Sequence, residues 1–309
     1  MKIHNEVRTN ARRIVAMALA LCLVFCTIPF AAGAEVVASG TWGDNVTWSL
    51  EDGVLTISGE GAMDEERSTR TYPWHEYRDL VTQVVVKSGV TSVPGSAFYY
   101  FTNLEKAVIE EGVESLGRHA FSSCKKLKDV QLPSTLKIID ADCFMWTGLE
   151  TIDLPDGLEE VYAEAFLQTP LTEIVIPDSV TYMGNSVFSG CTNLKSAVLS
   201  ANCTDIQMNA FWNCTALEQV TIPEGVISIA SSVFNGCTSL DNVILPSSIA
   251  SLHPNCFANC TSLTSMVIPA GVTTFYRPFV DCSGLKTLIF LGDAPVQEGN
   301  TDLSDDYAF

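Results

Sequence analysis

The sequence predicts a repeat solenoid, in which similar coils stack and share one hydrophobic core. Parallel β-strands should form its inner face, with short helices or turns outside. One observation behind this prediction is a phenylalanine that recurs every 22 or 23 residues, a period typical of such arrays. A second is the apolar pattern that follows each phenylalanine, and a third is the proline that often ends that pattern. The recurring phenylalanines are Phe98, Phe121, Phe144, Phe166, Phe188, Phe211, Phe234, Phe257 and Phe279.

The segment Leu240–Pro246 illustrates one coil of the array, which we call a rung. Leu240, Val243 and Leu245 occupy its first, fourth and sixth positions, and the last two point to the same side of an extended strand. Pro246 ends the strand, because proline cannot donate a hydrogen bond to a ladder. One rung cannot bury its apolar side alone, so neighbouring rungs are expected to stack and bury it together.

Residues 1–34 are predicted to be a signal peptide. Four basic residues lie in the first 13 positions, an apolar run follows over residues 14–30, and Ala32-Gly33-Ala34 offers a cleavage site. An uncleaved anchor helix is the alternative, but the apolar run is short for a membrane span. The sequence therefore predicts a secreted, extracellular or cell-surface protein with no membrane insertion after cleavage.

The predicted mature chain is strongly acidic. Without its signal peptide it keeps 13 Lys and Arg against 35 Asp and Glu, a net charge of −22, compared with −19 for the whole chain. Such a surface repels phosphate backbones and anionic lipid. Nucleic acid is therefore excluded as an expected partner.

Residues 35–80 do not follow the repeat and are predicted to form an N-terminal β cap. Residues 41–50 alternate in polarity, Glu51-Asp52-Gly53 is a turn signal, and Val54–Ser58 is a second strand, which together indicate a hairpin. We expect Trp42, Trp48 and Trp74 to form the core of this cap, although tryptophans can also serve as ligand platforms.

Residues 81–291 form the predicted solenoid of about nine to ten rungs. The C-terminal residues 292–309 depart from the repeat and are interpreted as a C-terminal cap or as the start of a truncated further rung. The second interpretation rests on Ala308-Phe309, which repeats the small residue and phenylalanine of each rung.

The unit LxxVxIPxxVxxIgxxAFxxCxxL, which residues 81–291 follow, resembles the leucine-rich repeat of the BspA-like family. That family is found in secreted and surface proteins of bacteria and some protists. The resemblance implies a curved, right-handed solenoid with a parallel sheet on its inner face. It also implies adhesion, host-protein binding or surface display, with no conserved catalytic residues.

Cysteine and histidine offer no predicted catalytic, metal or cofactor site. Nine cysteines lie outside the signal peptide, at positions where the repeat needs a small buried hydrophobe, so they are interpreted as free buried thiols. Disulfides between adjacent rungs are the alternative. Zinc sites need closely spaced pairs such as CxxC, and the sequence has none. The four histidines are scattered and belong to no recognisable catalytic motif.

The fifth position of each inner-sheet strand is predicted to face outward, and most of its residues are apolar. Exposed apolar stripes often mark interaction sites, although β-branched residues also suit any strand. The sequence thus predicts a non-catalytic binding or adhesion module that presents this face to an extracellular protein or peptide, such as one of a host. The predicted ligand-binding residues are Val108, Gln131, Asp153, Val175, Val198, Thr221, Ile244 and Val267.

Two alternative functions remain open at this stage. Tyr100, Trp146 and Trp212 follow column phenylalanines and could stack on sugar rings, which would make the chain a carbohydrate-binding or cell-wall-binding module. The same aromatic residues could instead pack against neighbouring turns. The second alternative function is that of a spacer segment in a longer surface protein.

Overall fold

The computed structural model describes residues 36–63 and 71–293. The predicted signal peptide, residues 1–34, and residues 294–309 of the predicted C-terminal segment lie outside these ranges. Four strands and one short helix precede the repeats. They are β1 (Val36–Trp42), β2 (Val46–Glu51), β3 (Val54–Gly59), β4 (Gly61–Ala62) and a 3-10 helix (Pro73–Tyr77).

The repeats contribute two short strands per rung over most of their length. In chain order these strands are β5 (Gln83–Val86), β6 (Val90–Val93), β7 (Lys106–Ile109), β8 (Ser115–Leu116), β9 (Asp129–Gln131), β10 (Ile138–Ile139), β11 (Glu160–Val161), β12 (Glu173–Val175), β13 (Tyr182–Met183), β14 (Ser196–Val198), β15 (Asp205–Ile206), β16 (Gln219–Thr221), β17 (Ser228–Ile229), β18 (Asn242–Ile244), β19 (Ser251–Leu252), β20 (Ser265–Ile268), β21 (Thr274–Phe275) and β22 (Thr287–Phe290).

The strands stack into two ladders that run along the array, and within the repeats both ladders are parallel. The front ladder, which is the predicted inner sheet, follows the order β1-β2-β3-β5-β7-β9, then β12-β14-β16-β18, then β20-β22. The back ladder follows β4-β6-β8-β10-β11-β13, then β15-β17-β19-β21. The predicted parallel β-solenoid is therefore confirmed, and turns rather than helices form its outer side. Within the described residues, the one helix is the 3-10 turn Pro73–Tyr77, which precedes the repeats.

The N-terminal cap is a three-stranded antiparallel meander rather than the predicted two-stranded hairpin. Strand β1 pairs with β2, and β2 pairs with β3. Strand β3 then pairs with β5 in parallel, so the cap continues the front ladder directly. Trp48 and Trp74 are buried and Trp42 packs against the core, which confirms the tryptophans as core residues.

The turns that carry the phenylalanines form a third ladder of backbone hydrogen bonds. The N–H of Phe188 donates to the Ala210 carbonyl at 2.9 Å, and the N–H of Gly190 donates to the Trp212 carbonyl at 2.7 Å. Residues two before and two after each phenylalanine have positive φ, for example 58° at Ser186 and 71° at Gly190. The left-handed conformation thus recurs in every rung. In these turns every second backbone N–H donates to a carbonyl of the next rung.

The phenylalanines form one continuous stack through the core. Neighbouring rings lie 5.1–5.6 Å apart between centroids, with interplanar angles of 6–28°. Trp74 extends the stack at its N-terminal end, 6.3 Å from Phe98, and its indole N–H donates to the Ala97 carbonyl at 2.8 Å. The cap thus covers the first rung with an aromatic ring of its own.

The nine cysteines of the described residues are buried free thiols, as the sequence predicts. Six of them lie three residues after a column phenylalanine, and each donates its S–H to the carbonyl of the phenylalanine one rung earlier. In Cys237, for example, Sγ lies 3.2 Å from the Phe211 carbonyl. Burial raises the pKa of Cys191 to about 11 and that of Cys124 to about 12, so both thiols stay protonated at neutral pH.

Candidate binding face

The outward residues at the fifth strand position lie side by side along the front ladder, and we call them the front row. Strand register places Thr56 beside Val85, Val85 beside Val108, and Val108 beside Gln131. The row resumes with Val175, Val198, Thr221 and Ile244, and then with Val267 and Ile289. Its extension into the cap through Thr56 and Ser49 was not predicted, because the repeat pattern ends at the cap.

The C-terminal half of the front row exposes large aliphatic side chains. Ile244 is 76% exposed, and Val175, Val267 and Ile289 are 38%, 45% and 48% exposed. Aliphatic residues suit a strand, but an exposure of this size is not needed to hold the ladder together. This half therefore has the character of an interaction surface.

Two front-row residues depart from the prediction. Val198 is only 8% exposed, so the expectation that it faces water is wrong. It lies in the ladder between Val175 and Thr221. Asp153 is exposed as expected, but residues 151–154 form no strand and the front ladder is interrupted there. Aspartate is among the residues least suited to a strand.

The middle of the front face, between Val108 and Val175, is polar. Gln131 and Asp153 are exposed, and two ion pairs between neighbouring rungs lie beside them. Lys106 Nζ is 2.7 Å from Asp129 Oδ2, and Lys128 Nζ is 2.6 Å from Glu150 Oε1. Exposed pairs of this kind contribute little to stability. They give the face a charged segment next to its aliphatic half.

The aromatic residues of the alternative sugar site are exposed but lie apart along the turns. Tyr100, Trp146 and Trp212 are 47%, 43% and 40% exposed. Trp146 lies two rungs from Tyr100 and three rungs from Trp212, and in the described part of the chain no ring contact joins the three. The indole N–H of Trp146 donates to Gln168 Oε1 at 3.0 Å, and Tyr100 packs beside Tyr99.

A cluster of charged residues on consecutive turns was not anticipated from the sequence. Arg118 Nε lies 3.0 Å and His119 Nε2 lies 3.5 Å from Asp142 Oδ2. Partial burial is the largest cause of the raised pKa of Glu164, and the charge and hydrogen bond of Asp142 raise it further. The positive charge of Arg118 opposes the shift. His119, Asp142 and Glu164 each lie two residues before a column phenylalanine, and all three have positive φ. The sequence signal that could have revealed this cluster is the recurrence of titratable residues at that one repeat position.

Neither a metal cluster nor a membrane-crossing helix is found in the described ranges. No three His, Cys, Asp or Glu side chains of residues 36–63 and 71–293 are arranged to hold a metal ion. In the same ranges, no helix has the length and apolar character to cross a bilayer.

Stacked rungs with a leucine-initiated strand and a buried phenylalanine column define a leucine-rich repeat solenoid. Residues 76–195 and 183–294 match the family described as BspA type leucine-rich repeat region, with six copies. The chain belongs to this family.

Solved structures of bacterial leucine-rich repeat proteins share the fold. A protein from Eubacterium ventriosum is 23% identical with a TM-score of 0.55, covering 82% of this chain and 85% of its own. A protein from Bacteroides ovatus is 26% identical with a TM-score of 0.54, covering 80% of this chain and 70% of its own. The T. pallidum leucine-rich repeat protein is 25% identical with a TM-score of 0.50, covering 69% of this chain and 90% of its own. No curated protein matches the chain.

Proposed function

We propose that this chain is a secreted or cell-surface module that binds an extracellular protein or peptide, without catalysis, on its front face. The single observation that carries the proposal is the aliphatic half of the front row, above all Ile244 with 76% of its surface exposed. A partner that covers this half would bury apolar area, which is the main favourable term in most protein association. The adjacent ion pairs supply a polar margin, as protein interfaces commonly have.

Secretion supports the same proposal from the sequence. The predicted signal peptide would deliver the chain to the cell exterior, where its partner would be an extracellular protein of the same organism or of a host. The acidic surface favours a partner with a complementary basic margin, because charge complementarity speeds encounter and rejects unsuitable partners.

The proposal is tested by replacing exposed aliphatic side chains of this half with positively charged ones. Ile244→Lys combined with Val267→Lys replaces two exposed side chains and should leave folding intact, because neither is part of the core. Purified protein without residues 1–34 is immobilised and offered a mixture of extracellular proteins from the same organism and from a host. The proteins that it retains are identified and their affinities are measured for both forms. We expect at least about a hundredfold loss, equivalent to about 2.7 kcal/mol.

Ile227→Lys is the matched control, because Ile227 is 48% exposed and lies next to the back ladder. It adds one lysine, half the charge of the double variant, at a distance from the front row and should leave affinity unchanged. Equal affinity of the double variant and the wild type for every retained protein would refute the front face as the binding site.

A further inference from the structure

The back ladder contains a groove that none of the predicted sites includes. It is open to solvent on one side and has a volume of about 470 Å3, within the range of about 300–1,000 Å3 typical of small-ligand sites. Its lining includes Ser92, Ser115, Gly117, Ile138, Asp140 and Tyr162. This groove lies on the back ladder, whereas the proposed protein partner would occupy the front face.

The groove arises from a step in side-chain size between consecutive rungs. Strand register aligns Ser92 with Ser115 and Ser115 with Ile138, so two hydroxymethyl groups are followed by a larger aliphatic group. Gly117 lets the backbones of two neighbouring rungs approach closely beside the groove, since a Cβ there would lie 2.6 Å from the Gly95 nitrogen. Asp140 and Tyr162 occupy the corresponding place in the next two rungs and close the end of the groove.

The Tyr162 ring, at the end of the groove, is held in place on two sides. The Tyr162 hydroxyl donates to Glu160 Oε2 at 2.7 Å, and this hydrogen bond raises the pKa of Tyr162. The Tyr182 ring packs against it with centroids 5.4 Å apart and an interplanar angle of 58°. A ring fixed before binding spares the ligand the entropic cost of ordering it.

The polar groups of the groove suit hydroxyl groups of a ligand. Asp140 Oδ1 accepts the backbone N–H of Ala141 at 2.6 Å, which holds the carboxylate in position. A carboxylate accepts up to about four hydrogen bonds, so capacity remains for a ligand. The hydroxyls of Ser92 and Ser115 can both donate and accept. Among the described residues that line the groove, none is Lys, Arg or His, which disfavours an anionic ligand.

We propose that this groove binds a neutral oligosaccharide. The C–H face of a sugar unit would lie on the Tyr162 ring, which offers an apolar face beside a polar edge. Its hydroxyls would donate to Asp140 and exchange hydrogen bonds with Ser92 and Ser115. The nearby Asp140 and Glu160 carboxylates repel uronic acids and other charged sugars. Tyr100, Trp146 and Trp212 take no part in this site.

The test measures binding of the purified protein to cellohexaose, mannohexaose, maltohexaose and chitohexaose by isothermal titration calorimetry, with hexagalacturonic acid as the charged comparator. We expect binding to at least one neutral sugar and none to the charged one. Tyr162→Ala and Asp140→Asn should each weaken it at least about tenfold. Tyr162→Phe keeps the ring and should retain most of the affinity.

Two further variants separate loss of the site from loss of the fold. Ser115→Tyr fills the groove while leaving the Tyr162 ring and the Asp140 carboxylate in place, and it should abolish binding while thermal unfolding stays cooperative. Tyr276→Ala removes a tyrosine that is 54% exposed and follows the last back strand, outside the groove, and should bind as the wild type does. Failure of the wild type to bind any neutral sugar, or undiminished binding by Ser115→Tyr, would overturn the proposal. Neither result bears on protein binding at the front face.

Discussion

At the scale of single residues, one repeat position explains why the chain has so many cysteines. The residue three after each column phenylalanine is buried and lies beside carbonyl groups of the same turn and the preceding one. Cys237 donates there to Phe211, whereas Thr147 and Thr169 donate to their own phenylalanine carbonyls at 2.8 and 2.9 Å. In eight of the nine rungs the position therefore holds a small side chain with a hydrogen-bond donor, and in the first rung it holds Phe101. This geometry needs no disulfide, which agrees with the thiols being free.

Residues two before the phenylalanines illustrate a local conflict at the same scale. His119, Asp142 and Glu164 all adopt φ near 58°, a conformation that glycine and asparagine tolerate more readily. Their side chains also place two carboxyl groups in contact. The repeat backbone imposes this conformation on each rung, so the charged residues must adapt to it.

Glu164→Gln should stabilise the protein at neutral pH but not at pH 4. Partial burial and the neighbouring Asp142 raise the pKa of Glu164 in the folded state, so its contribution to stability is present at low pH and is lost as pH rises through that pKa. Glutamine does not ionise, so the Glu164→Gln variant does not lose this stability as the pH rises. The gain at pH 7 should be on the order of 0.5 kcal/mol, because solvent screens the charges. Urea unfolding at both pH values measures it.

Glu159→Gln is the matched control for this prediction. Glu159 Oε1 lies 2.8 Å from Lys137 Nζ in an exposed pair, so its loss should leave stability unchanged or slightly lower at pH 7. A Glu164→Gln variant that is less stable than the wild type at pH 7 would show that the Arg118 attraction outweighs the repulsion.

At the scale of the strand and turn, the front ladder was predictable and the back ladder was not. A front strand alternates Val243 and Leu245 with exposed residues, which is a recognisable period-two signal. A back strand such as Ser228–Ile229 has a single inward residue, so no alternation marks it. The break at residues 151–154 has a local cause in Asp153, but the burial of Val198 depends on neighbouring rungs, which a single repeat unit does not reveal. The groove at Tyr162 was missed for the same reason.

The phenylalanine column should contribute most of its stability in the middle of the array. Phe211 is fully buried between Phe188 and Phe234, so Phe211→Ala removes two ring contacts and leaves a cavity. The expected loss is about 3–5 kcal/mol of unfolding free energy. Phe279→Ala, in the last described rung, should cost less, because Phe257 is its one neighbour in the column. Denaturant unfolding of both variants measures the difference.

Phe211→Leu controls for loss of the ring alone, since it keeps much of the buried volume and should cost less than alanine. Equal losses at Phe211 and Phe279 would contradict the view that the end of the described array is the weaker part.

At the scale of the whole molecule, each rung is bonded to its neighbours rather than to distant parts of the chain. The front ladder, the back ladder and the turns all link one rung to the next, with partners about 22–26 residues apart in many of the hydrogen bonds. Stability is then close to a sum of rung terms and nearest-neighbour terms. The fold should therefore tolerate a change in length by whole rungs.

Deletion of residues 212–234 should yield a shorter but folded solenoid. The deletion removes one full period of 23 residues and joins Phe211 to Asn235, so every later side chain keeps its place in the rung. Phe211 would keep Phe188 as one neighbour in the column and gain Phe257 as the other, because the stacking at each level is the same. Unfolding should remain cooperative, with the denaturant slope reduced roughly in proportion to the surface removed.

Deletion of residues 212–222 provides the contrasting case, because 11 residues are about half a period and shift every later side chain out of its place. We expect this shorter deletion to abolish cooperative unfolding, although it removes fewer residues than the full-period one. Circular dichroism and urea unfolding compare the two. If both deletions unfold the protein alike, contacts beyond adjacent rungs must hold the array together, since nearest-neighbour coupling alone predicts that register outweighs length.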